Sequence, residues 1–126
     1  MNNEFAIKHL PEEHNYARGY AWIFLGGALQ IKKSTNEAAR RVKEGIENES
    51  SGLVIGHQLL ILNYLYWING NNDLLITQSK ALINHAYNIG DREALANGYH
   101  FLGIALFSAG KLEEAEITLL KFHELR

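Results

Sequence analysis

Over residues 16–33, apolar side chains recur three and four positions apart, as Tyr16, Tyr20, Ile23, Phe24, Ala28 and Ile31, the spacing of one helix face. The period continues from Glu37 to Ile46. There Ala38, Ala39, Val42 and Ile46 form an apolar stripe among Arg40, Arg41, Lys43, Glu44 and Glu47. Residues 53–68 are nearly all apolar and predict a helix buried on most sides. A fourth helix is predicted over 74–89, opened by Asp73 as N-cap and closed by Gly90 as C-cap. A fifth runs over 92–109 and is ended by Gly110. A sixth runs over 111–125, with Lys121 and Arg126 near its C-terminal end, where they complement the helix dipole. No convincing strand pattern interrupts these, so the fold expected is all-α with about six helices.

The pattern also repeats at longer range. A shift of 40 residues brings Leu62 onto Leu102, Tyr66 onto Leu106, Gly70 onto Gly110 and Leu82 onto Phe122. A shift of 37 residues brings Trp22 onto Leu59, Leu25 onto Leu62 and Leu29 onto Tyr66. Three helix pairs therefore follow one another, over 19–52, 56–90 and 94–126, with residues 1–18 before them.

The third pair carries a specific resemblance. Tyr99, Leu102, Gly103 and Leu106 are followed by the turn Gly110-Lys111 and then by Leu112, Glu113, Glu114, Ala115, Leu119 and Phe122. This resembles one tetratricopeptide repeat. In such a unit the small residue of the first helix, here Gly103, lets the second helix approach at its own small residue, here Ala115. The first pair repeats the pattern with Trp22, Leu25, Gly26, Leu29, Ala38 and Val42, but has Lys33-Ser34-Thr35 at its turn. The second pair departs furthest, with Asn63 and Leu75 where small residues are expected, and looser packing is expected there. The resemblance implies tandem helix-turn-helix units forming a short right-handed superhelical solenoid. Residues 6–11 resemble the tail of a preceding repeat, and Phe122 and Leu125 lie on an apolar stripe with no polar helix after it. Solenoids need their end faces covered. The chain is thus expected to be part of a longer array, or to self-associate through its ends.

Composition narrows the chemistry. The 126 residues suit one domain, and 47% apolar content excludes wholesale disorder. A net charge of −2 argues against direct nucleic-acid binding. The absence of Cys removes disulfides and thiolate chemistry. The most apolar run, 53–68, is broken by Gly56, His57, Gln58 and Asn63, and no signal-peptide pattern opens the chain, so a soluble, cytoplasmic protein is expected.

Candidate chemistry weakens on inspection. Gly27 to Ser34 is a near miss for a phosphate-binding loop. Lys32 replaces the second Gly, and the segment lies in a helical pattern, where backbone N–H groups cannot cradle phosphate. The histidines at 9, 14, 57, 85, 100 and 123 are never three or four apart, as metal ligands sharing a helix face would be. No cofactor, metal or catalytic group is expected, and Glu113, Glu114 and Glu116 read as a solvated face. Glu37–Arg41 and Arg40–Glu44 read as helix-surface ion pairs at i,i+4.

In the family resembled, the first helix of each pair lines the inside of the curve. That implies an inner wall of Tyr20, Ile23, Gly27 and Gln30, then His57, Leu60, Tyr64 and Trp67, then Asn97, His100, Ile104 and Phe107. Tyr20, Gln30, His57, Tyr64, Trp67, Asn97, His100 and Phe107 are the candidate contacts. The wall has no Lys or Arg, and reads as an uncharged groove for an apolar peptide or a neutral polar ligand such as a sugar. The competing account is that Trp67 and Phe107 pack between repeats as core. Repeats near 40 residues, joined by Gly90-Asp91-x-x-Ala94-Leu95-Ala96, resemble the sensor arm of LuxR-type transcription regulators of the maltose-regulon activator class. The run Leu10-Pro11, Arg18-Gly19-x-Ala21 and Leu25-Gly26-x-Ala28 resembles the entry to that arm. That resemblance implies a non-catalytic ligand- and protein-sensing module. The alternative is a stand-alone adaptor for protein–protein interaction.

Overall fold

The computed structural model describes Arg18, Gly19, Trp22, Ile23 and residues 35–126. Five helices occupy the long stretch: α1 (Thr35–Glu47), α2 (Gly52–Ile68), α3 (Asn72–Ile89), α4 (Arg92–Ser108) and α5 (Leu112–Leu125). Each packs on the next in sequence, and α2 also packs on α4. The described residues hold no strand, so the fold is all-α. Arg18, Gly19, Trp22 and Ile23 are helical and belong to the first segment predicted. Tyr20, Gln30 and the Lys33-Ser34 turn lie outside the described residues.

The turns show how the 40-residue repeat is built. Gly70 and Gly110 have φ of 71° and 79°, a conformation that costs a side-chain-bearing residue about 1–2 kcal/mol. In the first turn the Asn71 N–H donates to Tyr66 O at 3.0 Å and the Gly70 N–H to Trp67 O at 3.1 Å. Forty residues later the Lys111 N–H donates to Leu106 O at 2.9 Å and the Gly110 N–H to Phe107 O at 3.0 Å. The two turns are the same helix-ending motif. The cap of α3 corrects the sequence expectation. Asn71, rather than Asp73, accepts the Leu74 N–H at 3.3 Å. Asp73 falls inside the first turn of the helix, where its charge still favours the dipole. Asp91 caps α4 by accepting the Ala94 N–H at 3.1 Å, and Gly90 closes α3 as predicted.

The main core gathers Val42 of α1, Leu59, Leu62 and Leu65 of α2, Leu75 and Leu82 of α3, and Phe101 and Ala105 of α4, with Trp22 against them. A second cluster, Leu102, Leu106 and Ala115, joins α4 to α5. The close approach of α5 to α4 at Gly103 involves Leu119 rather than Ala115. A Cβ at 103 would come within 2.3 Å of Leu119 Cδ2. One repeat earlier the equivalent positions hold Asn63 and Ser79, both fully buried. The small–large order of Gly103 and Leu119 is thus large–small at Asn63 and Ser79, and Leu75 is 2% exposed.

Polar side chains also tie the layers. Arg18 and Glu49 form a buried ion pair that links the first helical segment to the loop after α1. Glu49 Oε2 also accepts the Ser50 and Ser51 N–H groups. His85 Nε2 meets Gly52 O at 2.7 Å, joining the end of α3 to the start of α2. Forty residues on, Arg92 Nε donates to Leu125 O at 3.1 Å and joins the start of α4 to the end of α5. On the surface of α1, the predicted Arg40–Glu44 pair forms at 2.7 Å.

Candidate functional site

The predicted inner-wall residues fall into two groups along the seam between α2 and α4, plus two outliers. The first group lines a cavity of about 200 Å³ at the N-terminal halves of both helices. Its apolar wall is Ile23, Leu53 and Leu60; its polar groups are His57, Asn97, Asp91 and Glu93. His57 Nδ1 is 2.9 Å from Leu53 O. A carbonyl only accepts, so Nδ1 carries the hydrogen. Gly19 closes against this ring, since a Cβ there would stand 2.7 Å from His57 Nδ1.

The second group is an aromatic ledge one to two turns further along. Tyr64 meets Phe101 edge-on with centroids 5.0 Å apart, and Trp67 meets Tyr64 at 6.3 Å and Phe101 at 6.2 Å. Phe101 is buried at 4% exposure and forms the floor, while Tyr64 and Trp67 are each 48% exposed above it. Edge-to-face contact at these separations is the arrangement aromatic pairs prefer. The rings touch one another, so they form a ledge with no space between them for a ligand.

Phe107 is 64% exposed at the position equivalent to Trp67 one repeat earlier. Trp67 packs one side of its ring on Phe101 of the following repeat and leaves the other side exposed. His100 turns away from the seam. It stacks on Phe122 of α5 with centroids 4.7 Å apart and lines an open hollow of about 850 Å³ between α4 and α5. Arg92, Glu93, Asn97, Leu125 and Arg126 also line that hollow. At the positions where repeat two presents Leu60, Ile76 and Ile83 to the body of the fold, repeat three has His100, Glu116 and His123. This face of α4 and α5 is thus more polar than the equivalent face one repeat before it.

The uncharged groove expected from sequence is corrected by Asp91 and Glu93, which join His57 and Asn97 at the cavity. Phe101 was also absent from the candidate residues. A positional signal for Glu93 and Phe101 existed. Glu93, Asn97 and Phe101 follow one another at four-residue spacing on α4 and so share a face. Among the described residues, no group of three His, Asp or Glu side chains is placed to hold a metal ion. Among the same residues no helix is long and apolar enough to cross a membrane. Comparison of the chain with protein-family models, with curated proteins and with solved structures finds no match.

Proposed function

We propose that the chain is a non-catalytic binding module that takes a segment of a partner protein in the groove between α2 and α4. One observation carries this reading. Trp67 and Tyr64 are each 48% exposed, and their adjoining rings make an apolar ledge over the buried Phe101. Exposed aromatic rings over a buried floor are the usual anchors of protein recognition. The size of the adjoining cavity favours a protein segment over a free sugar. At about 200 Å³ it is smaller than the about 300–1,000 Å³ typical of small-molecule sites.

The tetratricopeptide resemblance and the spacing of the repeats support placing this module in the sensing arm of a bacterial transcription regulator. There the occupant would act through unequal affinity for two states of the larger protein. A stand-alone adaptor is the alternative assignment, and it uses the same groove. Selection of a random peptide library on the purified chain, alongside a thermal-shift screen of sugars, tests the proposal. Peptides that bind wild type and lose affinity for the Trp67→Ala variant are the expected result. Sugars that stabilise the fold, with no peptide selected, would replace the protein segment by a small-molecule ligand.

A further inference from the structure

The cavity and the ledge differ in chemistry and lie side by side, which specifies the occupant further. The cavity is lined by Asp91, Glu93, Asn97 and His57, and among the described residues no Lys or Arg lines it; Glu93 is exposed and also borders the hollow that holds Arg92 and Arg126. Ionised carboxylates only accept hydrogen bonds, and the Asp91 Oδ1 atom already accepts the Ala94 N–H. The charge complement of this lining is a cation that donates several hydrogen bonds. The apolar wall of Ile23, Leu53 and Leu60 suits the methylene stem of a long side chain. At about 200 Å³ the cavity accommodates one side chain rather than a whole ligand.

Distance along the helices sets the second element. Leu60 and Asn97 line the cavity, and Tyr64 and Phe101 follow each by four residues. Trp67 lies seven residues beyond Leu60. At about 1.5 Å per helical residue the ledge is roughly 6–10 Å from the cavity. An extended segment covers that in two or three residues, at about 3.3 Å each.

We propose that the groove recognises an extended protein segment with a Lys or Arg side chain two or three residues from a large apolar one. The cationic head enters the cavity beside Asp91 and Glu93, and the apolar side chain lies against Tyr64 and Trp67. The inference rests on the groove reading above and adds the partner's charge and spacing.

Two blocked peptides test it, acetyl-Gly-Lys-Ala-Leu-Gly-amide and the same sequence with Glu in place of Lys. Each is titrated into the isotope-labelled chain while the Trp67 indole N–H and the Asn97 side-chain amide are followed by NMR. The Lys peptide is expected to move both signals and the Glu peptide neither. The double variant Asp91→Asn, Glu93→Gln is expected to weaken the Lys peptide about five- to tenfold, the effect of one or two partly exposed ion pairs. Asn at 91 keeps a good N-cap, so the variant retains its helix start. Equal binding of both peptides, or an unchanged affinity in the double variant, overturns the cation preference and leaves the groove reading standing. If neither peptide moves the signals, the inference falls. The groove reading falls with it only if library-selected peptides also leave the Trp67 indole unmoved.

Discussion

Leu119 of α5 lies directly over Gly103 of α4, so closely that a Cβ at 103 would meet Leu119 Cγ at 2.6 Å and Cδ2 at 2.3 Å. Gly103→Ala gains about 1 kcal/mol in helix propensity but forces Leu119 aside, at about 1–3 kcal/mol. The net expectation is a loss of about 1 kcal/mol. In a Leu119→Ala background the same change is expected to stabilise, because only the propensity gain remains. A double-mutant cycle in urea checks this; additive effects would mean that the two residues do not touch.

Gln58 is fully buried in α2, and neither its Oε1 nor its Nε2 has a hydrogen-bond partner among the described residues. A buried polar group left unpaired costs about 1–3 kcal/mol. Gln58→Met keeps the length of the side chain and removes that cost. The urea midpoint is expected to rise with the slope unchanged. A lower midpoint would show that the amide makes a bond that Met cannot replace.

Arg18 and Glu49 are paired with side-chain exposures of 10% and 5%, whereas Arg40 and Glu44 pair at 58% and 56%. Removing one partner of a buried pair strands the other charge, at about 3–5 kcal/mol, whereas an exposed pair contributes about 0–1 kcal/mol. Arg18→Met is therefore expected to destabilise by about 3 kcal/mol and Arg40→Met by less than about 1 kcal/mol. Thermal melts of the two variants would contradict this by showing equal shifts.

The ledge separates stability from recognition. Phe101→Ala removes its buried floor and is expected to cost about 3–5 kcal/mol. Trp67→Ala removes a half-exposed ring with two edge-to-face contacts and is expected to cost about 1–2 kcal/mol, and Phe107→Ala removes an exposed ring at less than about 1 kcal/mol. Calorimetry that found Trp67→Ala as damaging as Phe101→Ala would make Trp67 a core residue after all.

The helices were legible because α1, α3 and α5 keep a 3.6-residue apolar period and because Gly70, Gly90 and Gly110 mark the ends of α2, α3 and α4 at 20-residue intervals. The 40-residue equivalence was legible for the same reason, and the turns at 66–71 and 106–111 repeat it bond for bond. The partner of Gly103 was not legible. Which residue of α5 fills the gap depends on the crossing of two helices, a tertiary relation that local period does not encode. The acidic side of the groove was not legible because which residues at the start of α4 border the cavity depends on how α2 and α4 cross; Asp91 also caps the helix. His100 was placed on the inner wall by repeat position, and its stacking on Phe122 turns it to the other side.

The claim that Tyr64 and Trp67 form a recognition surface rests most directly on one number: the ratio of dissociation constants of a library-selected peptide for the wild-type chain and for Trp67→Ala. A ratio change of tenfold or more, about 1.4 kcal/mol, in a variant that remains folded, is the result predicted. An unchanged dissociation constant in a folded Trp67→Ala variant would contradict the account and move the binding surface away from the seam of α2 and α4.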